Sequence, residues 1–238
     1  MKHKILVLGS NRGQTRQRYN AIKDLGYDVK IISDVSSGFN PGISKGPNLS
    51  YRILNKLGYP LDTEKLNSQV KVFFELNTNV KLVWVEKCLV LKPDTINDIR
   101  KKSPETIIAF YSGDDMTARH NQSRYFLSII DRYDVCFTTK SYNCNPNELP
   151  ALGAKNIFFV NKSYDKNTHR PVNITTKDVE QYGCDVGFIG SFEEPRAEIM
   201  HYLARKGIEI RIFGNGWEKC KLSHENMKIA GIPLYEEK

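Results

Sequence analysis

Two adjacent carboxylates and a nearby histidine are the residues of this sequence best suited to acid–base chemistry. Asp114 and Asp115 follow the apolar segment 106–111, and His120 comes shortly after them. A carboxylate and an imidazole in a cleft can provide the general base that deprotonates a substrate hydroxyl group. The alternative is structural: Asp114 or Asp115 caps the next helix, and His120 is an exposed surface residue. The sequence leaves both interpretations open.

The first glycine-containing loop follows the apolar run 5–8 and precedes a stretch of helical character that ends at Gly26. Its residues are Gly9, Ser10, Asn11 and Arg12. Such a loop can direct backbone N–H groups and the positive end of a helix toward an anion. However, the spacing is not that of the dinucleotide-binding fingerprint G-x-G-x-x-G. A tight turn without a ligand is therefore favoured over a direct ligand contact.

Glu86 and Lys87 follow another apolar run, residues 82–85. In an open parallel sheet, ligands bind at the edge formed by the carboxyl ends of the strands. Glu86 and Lys87 are therefore expected at the same edge as Asp114 and Asp115. A surface ion pair is the favoured alternative for Glu86 and Lys87.

Two further glycine loops lie near the end of the chain. Their residues are Gly190 and Ser191, followed by Arg196, and then Gly214, Gly216 and Trp217. Backbone amides of two neighbouring loops can hold a diphosphate, and an arginine adds a fixed charge. We therefore favour a binding function for this pair of loops, and we expect no metal ion there. Trp217 either stacks on a base or closes the core.

These loops require a scaffold of alternating strands and helices. Six apolar segments are predicted to be strands: 5–8, 29–32, 82–85, 106–111, 134–138 and 156–160. Helical spacing of apolar residues from Leu66, and a segment that starts at Pro93 and ends in basic residues, predict helices between them. This alternation is typical of an α/β fold with a parallel sheet. We expect every strand to be apolar on both faces, because helices would cover both sides of the sheet.

The polar segment 161–184 is predicted to be a loop between two domains. After it, strand 185–189, helix 193–206 and strand 208–213 form a second βαβ unit, followed by a short segment 227–234. The domains are predicted at residues 1–172, a Rossmann-like domain, and 173–238, the first part of another. Because three strands make a small sheet, we expect the chain to be truncated, or completed by a homo-oligomer or a separate C-terminal half.

The composition narrows the possible functions. The 238 residues carry a net charge of +8, but the basic residues are spread out without the interleaved aromatics of a single-strand nucleic-acid groove. A solvated basic surface is therefore favoured over nucleic-acid binding. The five cysteines lack C-x-x-C spacing, so neither disulfides nor a zinc site is expected. We expect no signal peptide and no membrane span, and we predict a cytoplasmic location.

Several segments together resemble the CgeB-like (spore maturation protein) glycosyltransferase family. In the later part of the chain they are 185–191 (DVGFIGS), Pro195-Arg196 and 207–217 (GIEIRIFGNGW). In the earlier part they are 82–87 (LVWVEK), Asp114-Asp115, 134–140 (DVCFTTK), Tyr164-Asp165 and His169-Arg170-Pro171. The resemblance runs from about residue 4 to the end of the chain.

The resemblance implies a GT-B fold, in which an N-terminal Rossmann-like domain takes the acceptor and a C-terminal one takes the nucleotide sugar. It implies that Gly190, Ser191 and Arg196 face the donor diphosphate, and that Gly214, Gly216 and Trp217 lie near the nucleotide. The expected activity is sugar transfer from a nucleotide-sugar donor to an unknown glycan, protein or small molecule, without a cofactor. The alternative is a non-catalytic module that binds a nucleotide or a glycan.

Overall fold

The computed structural model describes residues 3–35 and 49–231. The chain divides into two compact units, Met1–Ser163 and Tyr164–Lys238, each with its own hydrophobic core. Within the described residues, every helix is too short or too polar to cross a lipid bilayer.

The first unit is built on one six-stranded parallel sheet. Its strands are β1 (Lys4–Leu8), β2 (Asp28–Ile32), β3 (Val80–Glu86), β4 (Ile107–Ser112), β5 (Val135–Thr138) and β6 (Ile157–Phe159). Its described helices are α1 (Gly13–Asp24), α2 (Leu49–Lys56), α3 (Leu66–Leu76), α4 (Pro93–Lys102) and α5 (Arg124–Ile129). The strand order is β2-β1-β3-β4-β5-β6, so the predicted α/β fold with a parallel sheet is confirmed.

The core of this unit lies along the three central strands. Leu6 and Leu8 of β1, Val83 of β3 and Ile108 of β4 are fully buried. Helices α3 and α4 pack against each other, and Ile96 and other apolar residues on them join the same core. Burial on both faces requires the near-continuous apolar runs that made these strands recognisable in the sequence.

The expectation that helices cover both faces of every strand is wrong for the two edge strands. Asp28 and Lys30 of β2 are exposed, and so are Phe158 and Phe159 of β6. An edge strand has a neighbour on one side only, so less of its surface is covered. Burial is most complete in β1 and β4, while β3 still exposes Lys81.

The second unit contains a three-stranded parallel sheet in the order β7-β8-β9. Its elements are α6 (Thr176–Tyr182), β7 (Val186–Ile189), α7 (Glu194–Ala204), β8 (Ile210–Phe213) and β9 (Met227–Gly231). Of the predicted segment 227–234, residues 232–234 lie outside the described residues. The core consists of residues from α7, β8 and β9 together with Trp217.

Helix α6 lies inside the segment that was predicted to be a loop. Its N-cap Thr175 accepts a hydrogen bond from the backbone of Asp178, whose carboxylate accepts one in return from the backbone of Thr175. This capping box is the signal that marks the helix. None of the residues of α6 is buried, so the apolar periodicity that identifies core helices is missing.

Candidate functional site

A pocket of about 340 Å³ lies at the carboxyl edge of the six-stranded sheet. The chain passes from β1 outward to β2 on one side, while β3 pairs with β1 on the other. This reversal is the position where open α/β sheets bind ligands. The pocket is lined by Ser10, Gln14, Thr15, Arg18, Glu86, Lys87, Gly113, Asp114 and Lys162.

Gly9 allows the loop after β1 to approach the end of β3. Its φ angle is +144°, and a Cβ atom there would lie 2.6 Å from the carbonyl oxygen of Glu86. Its backbone N–H donates to the carbonyl of Ile32 at 3.3 Å. The glycine is therefore required by backbone packing, which brings Ser10 and Glu86 to the same pocket.

Glu86 forms a bidentate ion pair with Arg18 on the wall of the pocket. The Arg18 guanidinium donates to the two Glu86 carboxylate oxygens at 2.9 and 2.5 Å, and it lies 4.1 Å from the centre of the Tyr111 ring. Trp84 donates a further hydrogen bond to Glu86 at 3.3 Å. Burial by itself lowers the pKa of Arg18, but the hydrogen bond and charge of Glu86 outweigh burial and raise it. Glu86 is only 8% exposed, so both charges are held in place.

Lys87 pairs with Asp114 rather than with Glu86. Its Nζ lies 2.5 Å from the Asp114 carboxylate and donates to the Asn121 side chain at 2.8 Å. The Lys87 backbone N–H donates to the carbonyl of Tyr111 at 3.0 Å, and its φ angle is +42°. The structure thus brings four sequence-predicted residues to one pocket, namely Ser10, Glu86, Lys87 and Asp114.

Asp115, in contrast to Asp114, is held by hydrogen bonds within the protein. Its Oδ1 accepts hydrogen bonds from the backbone and hydroxyl of Thr117 and from the side chain of Asn143, at 3.0, 2.7 and 2.9 Å. The hydrogen bond from Asn143 is the largest cause that lowers the pKa of Asp115, to about 2. Asp115 does not line the pocket. This carboxylate organises the loop after β4.

His120 is not brought to either aspartate. It is exposed in a single 3₁₀ turn, Arg119–Asn121, and within the described part of the chain its side chain makes no hydrogen bond. The expected acid–histidine pair is therefore not formed. The alternative, in which an aspartate caps the next helix, is also wrong, because Ser123 caps α5 by accepting from the backbone of Phe126 at 3.0 Å.

Asn11 and Arg12 lie next to the pocket without lining it. The Asn11 backbone donates to the hydroxyl of Ser33 at 3.2 Å, and its side chain accepts from Arg16 at 3.1 Å. Arg12 is the N-cap residue of α1, and its side chain does not cap the helix. These contacts fix the loop after β1.

The two glycine loops of the second unit pack directly against each other. A Cβ atom on Gly214 would lie 1.8 Å from the carbonyl oxygen of Gly190, and one on Gly190 would lie 2.9 Å from the Phe188 ring. The Gly190 N–H donates to the carbonyl of Phe213 at 2.9 Å. Gly216 has a φ angle of +83°. Close backbone packing and this angle account for all three glycines without a ligand.

Trp217 closes the core of the second unit. It is 1% exposed, packs edge-to-face with Phe188 and Phe192, and donates to the carbonyl of Gly190 at 2.8 Å. Its ring is therefore too buried to stack on a base. The sequence left these two roles of Trp217 open, and the structure places it in the core.

Arg196 lies in the first turn of α7 and contacts its own loop. One guanidinium nitrogen donates to the carbonyl of Ser191 at 2.9 Å, and another lies 3.0 Å from the carboxylate of Glu193. The Ser191 residue is exposed, and Arg196 remains partly exposed. Both are accessible to a ligand of this unit.

Several residues of the pocket were not predicted from the sequence, namely Gln14, Thr15, Arg18, Gly113 and Lys162. Gln14, Thr15 and Arg18 lie on the first two turns of α1, where helical spacing from the glycine loop was an available signal. Lys162 follows β6, which is far along the chain from the other residues of the pocket. No local sequence pattern identifies Lys162 as a pocket residue. Among the described residues, no cluster of three or more histidine, cysteine or acidic residues is arranged to hold a metal ion.

No family model matches this chain, and no curated protein matches it by sequence. Solved structures do match its fold. One is a putative UDP-N-acetylglucosamine 2-epimerase from Listeria monocytogenes, with a TM-score of 0.57 and 13% identity over 98% of this chain and 70% of that one.

A second structural neighbour is an alpha-glucosyltransferase in complex with UDP and a 13-mer DNA. Two of its complexes superimpose with TM-scores of 0.54 and 0.53 and identities of 14% and 12%, over 93% and 90% of this chain. The chain spans 60% and 57% of the length of those two. At these identities the likeness establishes the fold alone, which is GT-B-like.

Proposed function

We propose that this chain transfers a sugar from a nucleotide-sugar donor to a hydroxyl group of an acceptor. The observation that carries the proposal is the charged pocket at the reversal of strand order, within a chain of GT-B-like fold. The names of both structural neighbours contain UDP, which makes UDP-sugars the first donors to test. The resemblance to CgeB-like glycosyltransferases supports the same activity, and we propose that the chain belongs to that family.

In this proposal the pocket of the first unit holds the acceptor, and Asp114 accepts the hydrogen bond of the reacting hydroxyl. Asp114 is the one predicted catalytic residue that lines the pocket. Its ion pair with Lys87 fixes the carboxylate, and its side chain is 56% exposed, so a substrate hydroxyl can reach it. Asp115 and His120 have no part in this step, because neither lines the pocket.

The donor diphosphate is proposed to bind to the second unit, at the loops that follow β7 and β8. The charge would come from Arg196, with Ser191 and backbone amides as further donors. Since Arg196 already contacts Ser191 and Glu193, it is held near the position where a phosphate would lie.

The test combines binding and turnover. Calorimetry with UDP should show affinity about ten- to a hundredfold weaker for Arg196→Ala, because a charge-assisted phosphate contact is worth about 1.5–3 kcal/mol. Arg205→Ala, at the other end of α7 and exposed, is the matched control. Incubation with UDP-sugars and candidate acceptors should release UDP. An unchanged UDP affinity in Arg196→Ala removes this residue from the donor site, and epimerised sugar without transfer makes the chain an epimerase.

A non-catalytic module that binds a nucleotide or a glycan is the second candidate. It is favoured by the finding that two of the three predicted catalytic residues, Asp115 and His120, lie outside the pocket. It predicts UDP or glycan binding without any turnover of a UDP-sugar. Transfer or hydrolysis of a single donor would be incompatible with it. Light scattering at several protein concentrations tests whether copies of the chain associate.

A further inference from the structure

The N-terminal turn of α1 lines the pocket of the first unit through Gln14 and Thr15. The first hydrogen bond of the helix runs from the backbone N–H of Arg16 to the carbonyl of Arg12, at 3.3 Å. The side chain of the N-cap residue, Arg12, does not cap this end, and the first turn contains no acidic residue. The N–H groups that precede Arg16, together with the positive end of the helix dipole, are therefore available to an anion.

Thr15 gives an independent indication of a ligand. The residue is only 8% exposed, yet it lines the pocket, and its hydroxyl makes no hydrogen bond to any described residue. The hydroxyl oxygen itself is open to the pocket, since it is not among the enclosed side-chain atoms that lack a partner. In contrast, the buried Ser123 hydroxyl donates to Leu89 and accepts from Phe126. The Thr15 hydroxyl is thus positioned to donate to a group inside the pocket.

The charges around the pocket favour an anion. Glu86 is neutralised by Arg18, and Asp114 by Lys87, so the two carboxylates of the pocket are both paired. Lys162 also lines the pocket and has no acidic partner within residues 3–35 and 49–231. The pocket therefore has a net charge of one positive unit, carried by Lys162. The N-terminus of α1 attracts negative charge to the same site.

We propose that this pocket binds a phosphoryl group of a transfer substrate. Its oxygens accept hydrogen bonds from the backbone N–H groups of Gln14 and Thr15 and from the Thr15 hydroxyl, and Lys162 supplies the charge. A phosphoryl group has enough oxygens for donors that approach from different directions. The inference rests on the proposed function only in assigning the group to a substrate. A phosphorylated acceptor agrees with the placement proposed above, whereas binding of the donor diphosphate here would move the donor site from the second unit to this pocket.

The experiment measures binding of inorganic phosphate, glucose 6-phosphate and UDP to the full chain by calorimetry. Thr15→Val removes the hydroxyl at nearly constant shape and should weaken phosphate binding about tenfold, while Thr15→Ser should restore it. Lys162→Gln should weaken binding by about threefold to tenfold and reduce its salt dependence. Lys155→Gln, an exposed lysine of the same unit outside the pocket, should bind as the unchanged chain does.

The variants also identify the source of the phosphoryl group. Weaker glucose 6-phosphate binding with unchanged UDP binding in Thr15→Val assigns it to the acceptor, and the reverse assigns it to the donor. The proposal is overturned if the unchanged chain binds no phosphate, or if Thr15→Val and Lys162→Gln, with unchanged circular dichroism, both keep full affinity.

Failure of the proposed function has a different signature. Phosphate binding that depends on Thr15, without any transfer of sugar, leaves this inference standing. Sugar transfer without Thr15-dependent phosphate binding overturns this inference and leaves the proposed function intact.

Discussion

Arg18 and Glu86 form the most buried charge pair beside the pocket, and the surroundings of Glu86 depend on it. Both carboxylate oxygens of Glu86 accept a hydrogen bond from Arg18, and the Arg18 side chain is 22% exposed. Removing one partner of a buried pair leaves an unpaired charge in a medium of low polarity. The pair thus connects α1 to the end of β3 as long as both residues are present.

Arg18→Ala should lower the free energy of unfolding by about 2–3 kcal/mol. This is less than the 3–5 kcal/mol typical of a fully buried pair, because water partly reaches Arg18. The double variant Arg18→Met/Glu86→Leu should recover most of the loss, since no charge is then left unpaired. Urea denaturation of both variants measures this difference. If the single and double variants lose equal free energy of unfolding, the attraction within the ion pair exceeds the free energy needed to remove both charges from water.

Asp34 makes the stability of the first unit depend on pH in the mildly acidic range. Burial, together with the nearby charge of Asp62, raises the pKa of Asp34 to about 6, and its Oδ1 is buried without a hydrogen bond in the described structure. In the unfolded chain an aspartate ionises near pH 4. Between about pH 4 and 6 the unfolded chain therefore loses a proton that the folded chain keeps, so stability falls as the pH rises through this window.

Asp34→Asn should therefore stabilise the protein at pH 7.5 and not at pH 4. The gain at pH 7.5 is at most about 3 kcal/mol, from roughly two pKa units at 1.36 kcal/mol each. Thermal denaturation at both pH values measures it. The control is Asp24→Asn, an exposed aspartate at the end of α1, which should change the melting temperature little at either pH. A gain of the same size at pH 4 would contradict the assignment.

At the scale of the elements, the contact between the loops after β7 and β8 limits which residues they accept. Gly214→Ala should prevent the second unit from folding normally, because the added Cβ would lie 1.8 Å from the carbonyl oxygen of Gly190. Gly187→Ala is the matched control: its Cβ would meet only the Cys184 Sγ, at an ordinary 3.7 Å. Tryptophan fluorescence reports the outcome, because Trp217 lies in the core of this unit. Native-like fluorescence from Gly214→Ala would require the two loops to move apart.

The sequence predicted the central elements well because their burial imposes a pattern. β1, β3 and β4 are apolar on both faces, and α4 starts at Pro93 and ends in basic residues, as expected. Helix α6 was not predicted, because an exposed helix needs no apolar stripe. The edge strands were predicted as strands, but their polar and exposed faces were not, since sequence order alone does not reveal which strand ends the sheet.

The site was predictable only where it follows directly from a strand end. Ser10, Glu86, Lys87 and Asp114 could be placed at one edge because parallel strands end there. Asp115 was expected to share the role of Asp114, but Thr117, two residues away, and Asn143, 28 residues away, hold it in a turn. No sequence pattern reveals a partner as distant as Asn143. The same limit applies to Lys162, which approaches the pocket from beyond β6.

At the scale of the whole molecule, the basic residues behind the net charge of +8 are spread along the sequence. In the run Arg100–Lys102, Arg100 pairs with Asp134 and Lys102 with Glu75, while Arg18 pairs with Glu86. Acidic partners thus neutralise part of the run Arg100–Lys102 and one residue of the basic stretch 12–18. Nonspecific binding to polyanions should therefore be weak.

We expect the chain to elute from heparin by about 200 mM salt, as a protein with few simultaneous phosphate-like contacts does. A gradient elution measures this, with Lys162→Gln as a variant that should shift the elution only slightly. Retention well above that concentration would indicate a concentrated basic surface and would make nucleic acid a candidate acceptor. The measurement is independent of the donor and of any transfer.

The pairing of β1 has a consequence for the order of events when the protein is made. β1 lies between β2 and β3, and Leu8 of β1 is in register with Val85 of β3, which is roughly eighty residues further along the chain. At 5–20 residues per second, the ribosome needs about 4–16 s to supply that partner. During this interval the apolar strand at the start of the chain has only β2 beside it. Until β3 emerges, the free edge of β1 is therefore open to pairing with other strands.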